Sequence, residues 1–332
     1  MANERKDRYL FLTTYVRSCE NQMLTKERLE RALAAPDFEE FAKVLAECGY
    51  EDMTEMSLPE IDQALSRRRS EIFAEMTRLC PEKEIVNAFR IKYDYHNAKA
   101  LIKAEGASVS AEHLLSDSGR VSVKVLDAAF REDNFVRIPM ELTLAVEEAR
   151  RVMGQTRNPL LVDLVLDKAY FAELRAFAEK LNSRFLREYV RDLIDCANLR
   201  TAVRVGRMGR DADFLRSMLI DGGTIGCECF PLADVTPEVV AAAFSSTAFR
   251  APAETGAEAL QGGPLTRFEL ACDNTLTARL RRAKSMGYGD DPVIAYLAAV
   301  EAELMTVRML VVGRRTGMDK ALIRERLREL YV

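Results

Sequence analysis

The chain has 332 residues, 48% hydrophobic and 30% charged, with 48 Lys and Arg against 52 Asp and Glu and a formal net charge of −4. That length and apolar content suffice for a large core or for two to three domains of ordinary size, and a pI near 5.6 supplies no global positive field to recommend nucleic acid as a partner. No apolar run approaches the roughly 18 to 20 residues that span a bilayer, and the opening Met-Ala-Asn-Glu-Arg-Lys-Asp lacks the apolar core of a signal peptide. A soluble cytoplasmic protein is expected, even if it docks on a membrane complex.

Taken in chain order, the pattern is helical wherever it can be tested. An Asp opens a predicted helical segment at Asp62-Gln-Ala-Leu65, and a long helix follows around Asp94-Tyr-His-Asn97-Ala-Lys99 until Gly106-Ala-Ser-Val-Ser breaks it. The alternation of Val121, Val123 and Val125 is the best strand candidate, but it is short and alone. Thr156-Arg-Asn-Pro159 reads as a surface loop, and Asp167-Lys-Ala-Tyr170 as a second opening Asp. Leu186, Tyr189, Val190, Leu193, Ile194 and Ala197 then lay an apolar stripe along a second long helix, which carries Asp195-Cys-Ala-Asn198-Leu-Arg200 and stops near Gly209. The stretch from Ala251-Pro-Ala-Glu-Thr-Gly through Gly262-Gly-Pro264 is rich in Gly, Pro and small residues, and is expected to be a surface loop prone to disorder. Asp273-Asn-Thr-Leu276 opens another segment, and Asp290-Asp291-Pro292 marks the start of a third long helix, with carboxylates to accept free amides and a proline tolerated in the first turn. Val293, Leu297, Val300, Leu304, Val307 and Val311 form its stripe. An all-α fold follows.

The three long helices share a motif: an acid, an amide or hydroxyl three positions on, and a base two positions after that. The third copy is Glu303-Leu-Met-Thr306-Val-Arg308. The acids lie 101 and 108 residues apart (195 − 94 and 303 − 195), and each follows its upstream Asp by 32, 28 and 30 residues. The second and third copies also share a basic-x-Gly ending, Arg207-Met-Gly209 and Arg315-Thr-Gly317, where glycine closes a helix at little cost. The chain therefore reads as three similar helical modules, 1–106, 107–210 and 211–332. An unrelated helical repeat scaffold is the alternative, but such repeats run about 30 to 47 residues.

No catalytic constellation is visible. There is no phosphate-binding loop, and Gly206-Arg-Met-Gly209 falls at a helix end rather than between a strand and a helix. The only histidines are His96 and His113, and His96, inside the first motif helix, has no assignable nucleophile or orienting acid. Seven cysteines at 19, 48, 80, 196, 227, 229 and 272 are expected to be reduced thiols, and Cys227-Glu-Cys229 lacks the second pair that tetrahedral zinc wants. No metal or cofactor is expected. Asp94 and Asn97, Asp195 and Asn198, and Glu303 and Thr306 each share one helix flank beside the apolar stripe. Their expected role is structural: hydrogen bonds to a neighbouring helix or to the next segment, each worth about 1–3 kcal/mol if lost.

The residues resemble the C subunits of the prokaryotic V/A-type rotary ATPases, relatives of the d subunits of vacuolar ATPases. The matching segments are Arg90 to Lys99, Asn158 to Phe171, Arg191 to Arg200, Tyr296 to Arg308, Leu219-Ile-Asp-Gly-Gly-Thr-Ile225 and Tyr15 to Glu20, so the likeness covers almost the whole chain. Two departures are Thr306, where the family pattern more often has Asn, and Met23-Leu24, where it usually has Leu-Leu. The resemblance implies a funnel of three modules about a pseudo-three-fold axis, a non-catalytic coupling piece on the cytoplasmic face. Its partners would be the membrane rotor ring and the central axle of the ATPase head.

Arg200, Arg204, Arg207 and Arg210, spaced four, three and three, form a basic stripe at the end of the second motif helix, with Lys99, Lys103, Arg308, Arg314 and Arg315 at similar places. Cations at helix C-termini are favourable by about 0.3–1 kcal/mol each, which suffices to account for them. If the three modules surround one axis, the same residues would form a positive collar. Arg200, Arg204, Arg207, Arg314 and Arg315 are then the candidate partner-binding residues.

Overall fold

A computed structural model describes residues 7–227 and 235–332, and among these every regular element is helical. In chain order the α-helices are α1 (Leu10–Glu20), α2 (Lys26–Ala34), α3 (Phe38–Ala46), α4 (Leu58–Leu79), α5 (Lys83–Ala107), α6 (Val123–Glu132), α7 (Met140–Thr156) and α8 (Pro159–Lys180). There follow α9 (Arg184–Arg207), α10 (Ala212–Met218), α11 (Pro237–Ala243), α12 (Arg250–Leu260), α13 (Leu265–Arg281), α14 (Asp290–Arg315) and α15 (Lys320–Arg326). The chain divides into two compact units, one of residues 1–69 with 183–332 and the other of residues 70–182. The motif helices are α5, α9 and α14.

In the 70–182 unit, α5, α6, α7 and α8 close on a core that includes Tyr95, Leu101, Leu126, Phe130, Leu142, Val146, Val162 and Leu166. In the other unit, one core gathers Leu199 and Val203 of α9 with Phe244, Phe249, Phe268 and Cys272. The α14 helix is more buried than a single stripe predicts. Every residue from Pro292 to Val300 is buried, because alanines fill the flanks between its larger apolar residues and let other helices approach on several sides. A fully buried Leu or Val there stabilises the fold by about 1.5–3 kcal/mol relative to an exposed one.

Several local expectations change. Val121, Val123 and Val125 are not a strand: Ser122 caps α6 by accepting from the Val125 amide at 3.4 Å, and Leu126, Ala129 and Phe130 are its buried face. The segment from Ala251 is not a loop but most of α12, which ends before Gly262. Pro252 sits in its first turn, where its missing amide costs nothing, and Ala253, Gly256 and Ala259 are buried. Small residues are needed there because a Cβ on Gly256 would stand 2.9 Å from Val203 Cγ2. Helix α14 does begin at Asp290, but its cap position is Gly289 and no side chain caps it. The expected loop at Thr156 to Pro159 is a two-residue turn in which Asn158 accepts from Leu160 at 3.0 Å. Gly106 lies inside α5, and Ser108 in the left-handed conformation closes that helix. Gly209 and Gly317 are the left-handed stops expected of them, at φ of +62° and +68°.

Candidate functional site

Each motif is a clamp on a stretch of backbone. In α5 the Asn97 side chain makes a reciprocal pair with one residue: Oδ1 accepts from the Ser116 amide and Nδ2 donates to the Ser116 carbonyl, both at 2.8 Å. Asp94, fully buried, accepts from the Val121 amide at 3.1 Å and from Arg120 Nε at 2.7 Å. Arg120 continues to Glu173 on α8 at 2.7 Å, and Tyr95 donates to the same carboxylate at 3.0 Å. The buried Asp94 is therefore paired, as a buried charge must be.

The second copy repeats the arrangement on α9. Asn198 pairs reciprocally with Ile220, at 2.8 Å to its carbonyl and 2.9 Å from its amide. Asp195 Oδ1 accepts from the amides of Thr224 at 2.8 Å and Ile225 at 3.4 Å. The two gripped segments now align: Leu115-Ser-Asp-Ser-Gly-Arg-Val121 with Leu219-Ile-Asp-Gly-Gly-Thr-Ile225. Gly119 and Gly223 correspond, and both are required by close approach. A Cβ on either would fall on the carboxylate Oδ1 of its own Asp, nearer than real Cβ atoms come.

The third copy takes its partner from the other end of the chain. Glu303 on α14, one methylene longer than Asp, accepts from the Leu24 amide at 2.7 Å and from the Tyr50 hydroxyl at 2.8 Å. Leu24 precedes Thr25, the cap of α2, just as Val121 precedes Ser122, the cap of α6. Thr306 has no loop to grip, since α1 satisfies its own backbone up to Glu20. Its hydroxyl donates to the Ala302 carbonyl of its own helix at 3.0 Å. That accounts physically for a hydroxyl where the other copies carry an amide.

The motif bases reach the upstream acids of the other copies. Lys99 meets Asp167 at 2.5 Å, Arg200 meets Asp273 at 2.8 Å and Arg308 meets Asp62 at 2.6 Å. Asp62, Asp167 and Asp273 thus lie within α4, α8 and α13 and do not open helices, contrary to the sequence expectation. A carboxylate that recurs 28 to 32 residues before each motif acid was the available signal, and only the partner was missing from it. Arg308 and Asp62 have side chains 56% and 45% exposed, whereas Arg200 and Asp273 are 23% and 17% exposed. Arg308→Ala is accordingly expected to cost under about 1 kcal/mol, and Arg200→Ala about 1.5–3 kcal/mol, the range of hydrogen bonds to charged groups, since Glu269 keeps Arg204 and Asp273 keeps Arg328. Urea unfolding of the two variants measures the difference, and equal losses would contradict it.

The other candidate cations are also engaged. Arg204 meets Glu269 at 2.7 Å, a carboxylate it shares with Arg200, and Arg207 donates to the Gly263 carbonyl at 3.3 Å. Arg210 lies 5.6 Å from the Phe214 ring. Arg314 donates to the carbonyls of Ala35 at 2.8 Å and Asp37 at 3.2 Å, while Arg315 binds those of Met53 and Met56 at 2.9 Å and stacks 4.1 Å above Phe38. In the first copy Lys103 meets Asp163 at 2.7 Å. Among the described residues no cluster of His, Cys, Asp and Glu could hold a metal ion, and Cys229 lies outside them. His96 Nε2 is bonded to the Leu114 carbonyl at 3.0 Å. Chemically, the motif acids are occupied in holding the chain's own backbone amides.

The family model for the ATP synthase (C/AC39) subunit matches residues 12–326, which includes all three clamps. The chain belongs to that family. It is 24% identical to the C subunit of the V-type sodium ATPase of Enterococcus hirae, over 97% of this chain and 99% of that protein. It is 26% identical to the C subunit of the V-type ATP synthase of Thermus thermophilus over 63% and 68% of the two chains. With the C subunit of the A-type ATP synthase of Methanocaldococcus jannaschii it shares 24% identity over 96% and 86%. Membership of the C/AC39 family places the clamps in a subunit of a larger complex.

Burial pushes the Asp195 carboxyl above its ordinary value, against the opposing pull of the Thr224 and Ile225 hydrogen bonds, and does the same to Glu303 against Leu24 and Tyr50. A carboxyl raised in the folded state binds its proton more readily there than in the unfolded chain, where Asp titrates near about 3.9. Its contribution to stability is therefore complete at low pH and is lost as pH rises from the unfolded to the folded value, the reverse of the usual salt-bridged Asp. The stability gap between the wild type and Asp195→Asn should widen as pH falls through that window. A gap that narrows in urea titrations from pH 7 down to pH 4 would contradict the assignment.

Proposed function

We propose that the protein is the non-catalytic central-stalk subunit of a V/A-type rotary ATPase, coupling the axle of the ATPase head to the membrane rotor ring for proton or sodium transport. The observation that carries this reading is the match to the ATP synthase (C/AC39) subunit family over residues 12–326. The motif geometry suits it: three copies of one clamp, with acids turned inward on the chain's own backbone, make a stiff body able to pass torque. No helix among the described residues is long and apolar enough to cross a membrane, consistent with docking on the cytoplasmic face. Three modules, 1–106, 107–210 and 211–332, arranged as a funnel would present a similar surface around an axis to partners of different symmetry.

Mass spectrometry of the native assembly from detergent-solubilised membranes should find this chain with head and ring subunits. An assembly lacking it should hydrolyse ATP without moving ions, and full pumping in its absence would sink the proposal. Arg207 is exposed and bonded to a carbonyl, so Arg207→Glu tests a charged docking surface without breaking a carboxylate pair. Weaker assembly at low ionic strength is expected if the collar meets acidic groups of a partner, because such attraction is screened by salt. Unchanged assembly across a salt titration would leave Arg207 only the role of a helix-end cation.

A further inference from the structure

A non-helical segment, residues 327–332, runs from α13 to α1 and is held at residues 328 to 331. Arg328 meets Asp273 of α13 at 2.6 Å, the same carboxylate that pairs with the motif base Arg200. The Glu329 amide donates to Asn274 Oδ1 at 2.8 Å, and its carboxylate meets Arg281, whose Nε donates to the Leu330 carbonyl at 3.0 Å. Tyr331 is 5% exposed, donates to Glu20 of α1 at 2.8 Å and lies 5.5 Å from Lys284 Nζ. Glu20 is fixed in turn by Arg17, which also donates to the Ala283 carbonyl at 2.7 Å.

Backbone amide and carbonyl, a basic side chain and an aromatic anchor are all read by separate groups of α13 and α1. Such a division between main-chain bonds for affinity and pockets for side chains is how peptide-recognition grooves work. The first two clamps lie within continuous stretches of chain, but the third joins Glu303 to Leu24 across 279 residues, and Arg308, Arg314 and Arg315 fix only residues 35 to 62 to that helix, not α1. A bridge from α13 to α1 supplies a tie for α1.

We propose that residues 327–332 form a releasable strap: a basic-acidic-apolar-Tyr peptide seated in a recognition groove of α13 and α1, which keeps α1 docked beside the third motif helix. Displacement of the strap would loosen α1. This stands apart from the proposed coupling role and does not depend on it.

Hydrogen exchange of the full chain tests the strap. In Arg328→Ala/Tyr331→Ala the amides of α1, Leu10–Glu20, should exchange about tenfold faster through local opening, while residues 70–182 keep wild-type rates. Excess free peptide Leu-Arg-Glu-Leu-Tyr-Val should return α1 to slow exchange. Tyr331→Phe, which keeps the ring and loses the hydroxyl that bonds Glu20, should give a smaller acceleration of about threefold, and serves if the double variant does not fold. Unchanged α1 exchange in both variants would overturn the strap, as would faster exchange spread equally over residues 70–182. A peptide that fails to restore α1 would overturn the recognition groove.

Discussion

Asn198→Ala is expected to lower the unfolding free energy by about 1–3 kcal/mol, because it strands the amide of buried Ile220 and leaves its carbonyl only the weak Cys227 thiol donor at 3.7 Å. The loss would come from both bonds at once, since Oδ1 and Nδ2 each serve the same residue. Urea unfolding gives the total, and faster amide exchange at Leu219 to Ile225 should locate it. Asn97→Ala should behave alike through Ser116, and Thr306→Ala should cost less, since its hydroxyl only returns to its own helix. A complex assembled with the folded Asn198→Ala variant is expected to pump ions at the wild-type ratio to ATP. Normal stability with lost pumping would reverse the ranking and make the motif functional rather than architectural.

Gly223→Ala is the second large effect. Its Cβ would fall on Asp195 Oδ1 and stand 3.2 Å from Ile194 Cγ2, and Asp195 cannot recoil without giving up the Thr224 and Ile225 amides. Overpacking of this kind costs about 1–3 kcal/mol and occasionally more, and the lost hydrogen bonds put the expected figure near the upper end. A double-mutant cycle makes the cause visible. In Asp195→Ala the carboxylate is gone, so Gly223→Ala should cost less there by about 0.5–3 kcal/mol, the range seen for residues in contact. Strict additivity would show that the glycine is needed for some reason other than Asp195.

The basic stripe is only half legible in the sequence. Helical spacing correctly puts Arg200 and Arg204 on one side of α9, but the spacing carries no information on Glu269 and Asp273, which lie 65 to 73 residues further on. Arg314 and Arg315 bind carbonyls near the other end of the chain, more than 250 residues away. Composition misleads at α12, where Gly, Pro and Ala suggest a loop. Small residues mean flexibility only when exposed, and at Ala253, Gly256 and Ala259 they are what lets helices approach closely.

By itself the sequence determined the all-α class, the three long motif helices and the placing of acid and amide on one flank of each, because helical periodicity is a local property with a fixed geometry. It also determined the repeat, since the motif recurs in order. Only the tertiary structure decided what those side chains hold. The amides gripped by Asp94 and Asp195 lie 27 to 30 residues downstream, and the one gripped by Glu303 lies 279 residues upstream. A hydrogen bond is specified by where two groups meet in space, and the packing of the helices, which no local rule encodes, brings Leu24 to Glu303 and Asp62 to Arg308.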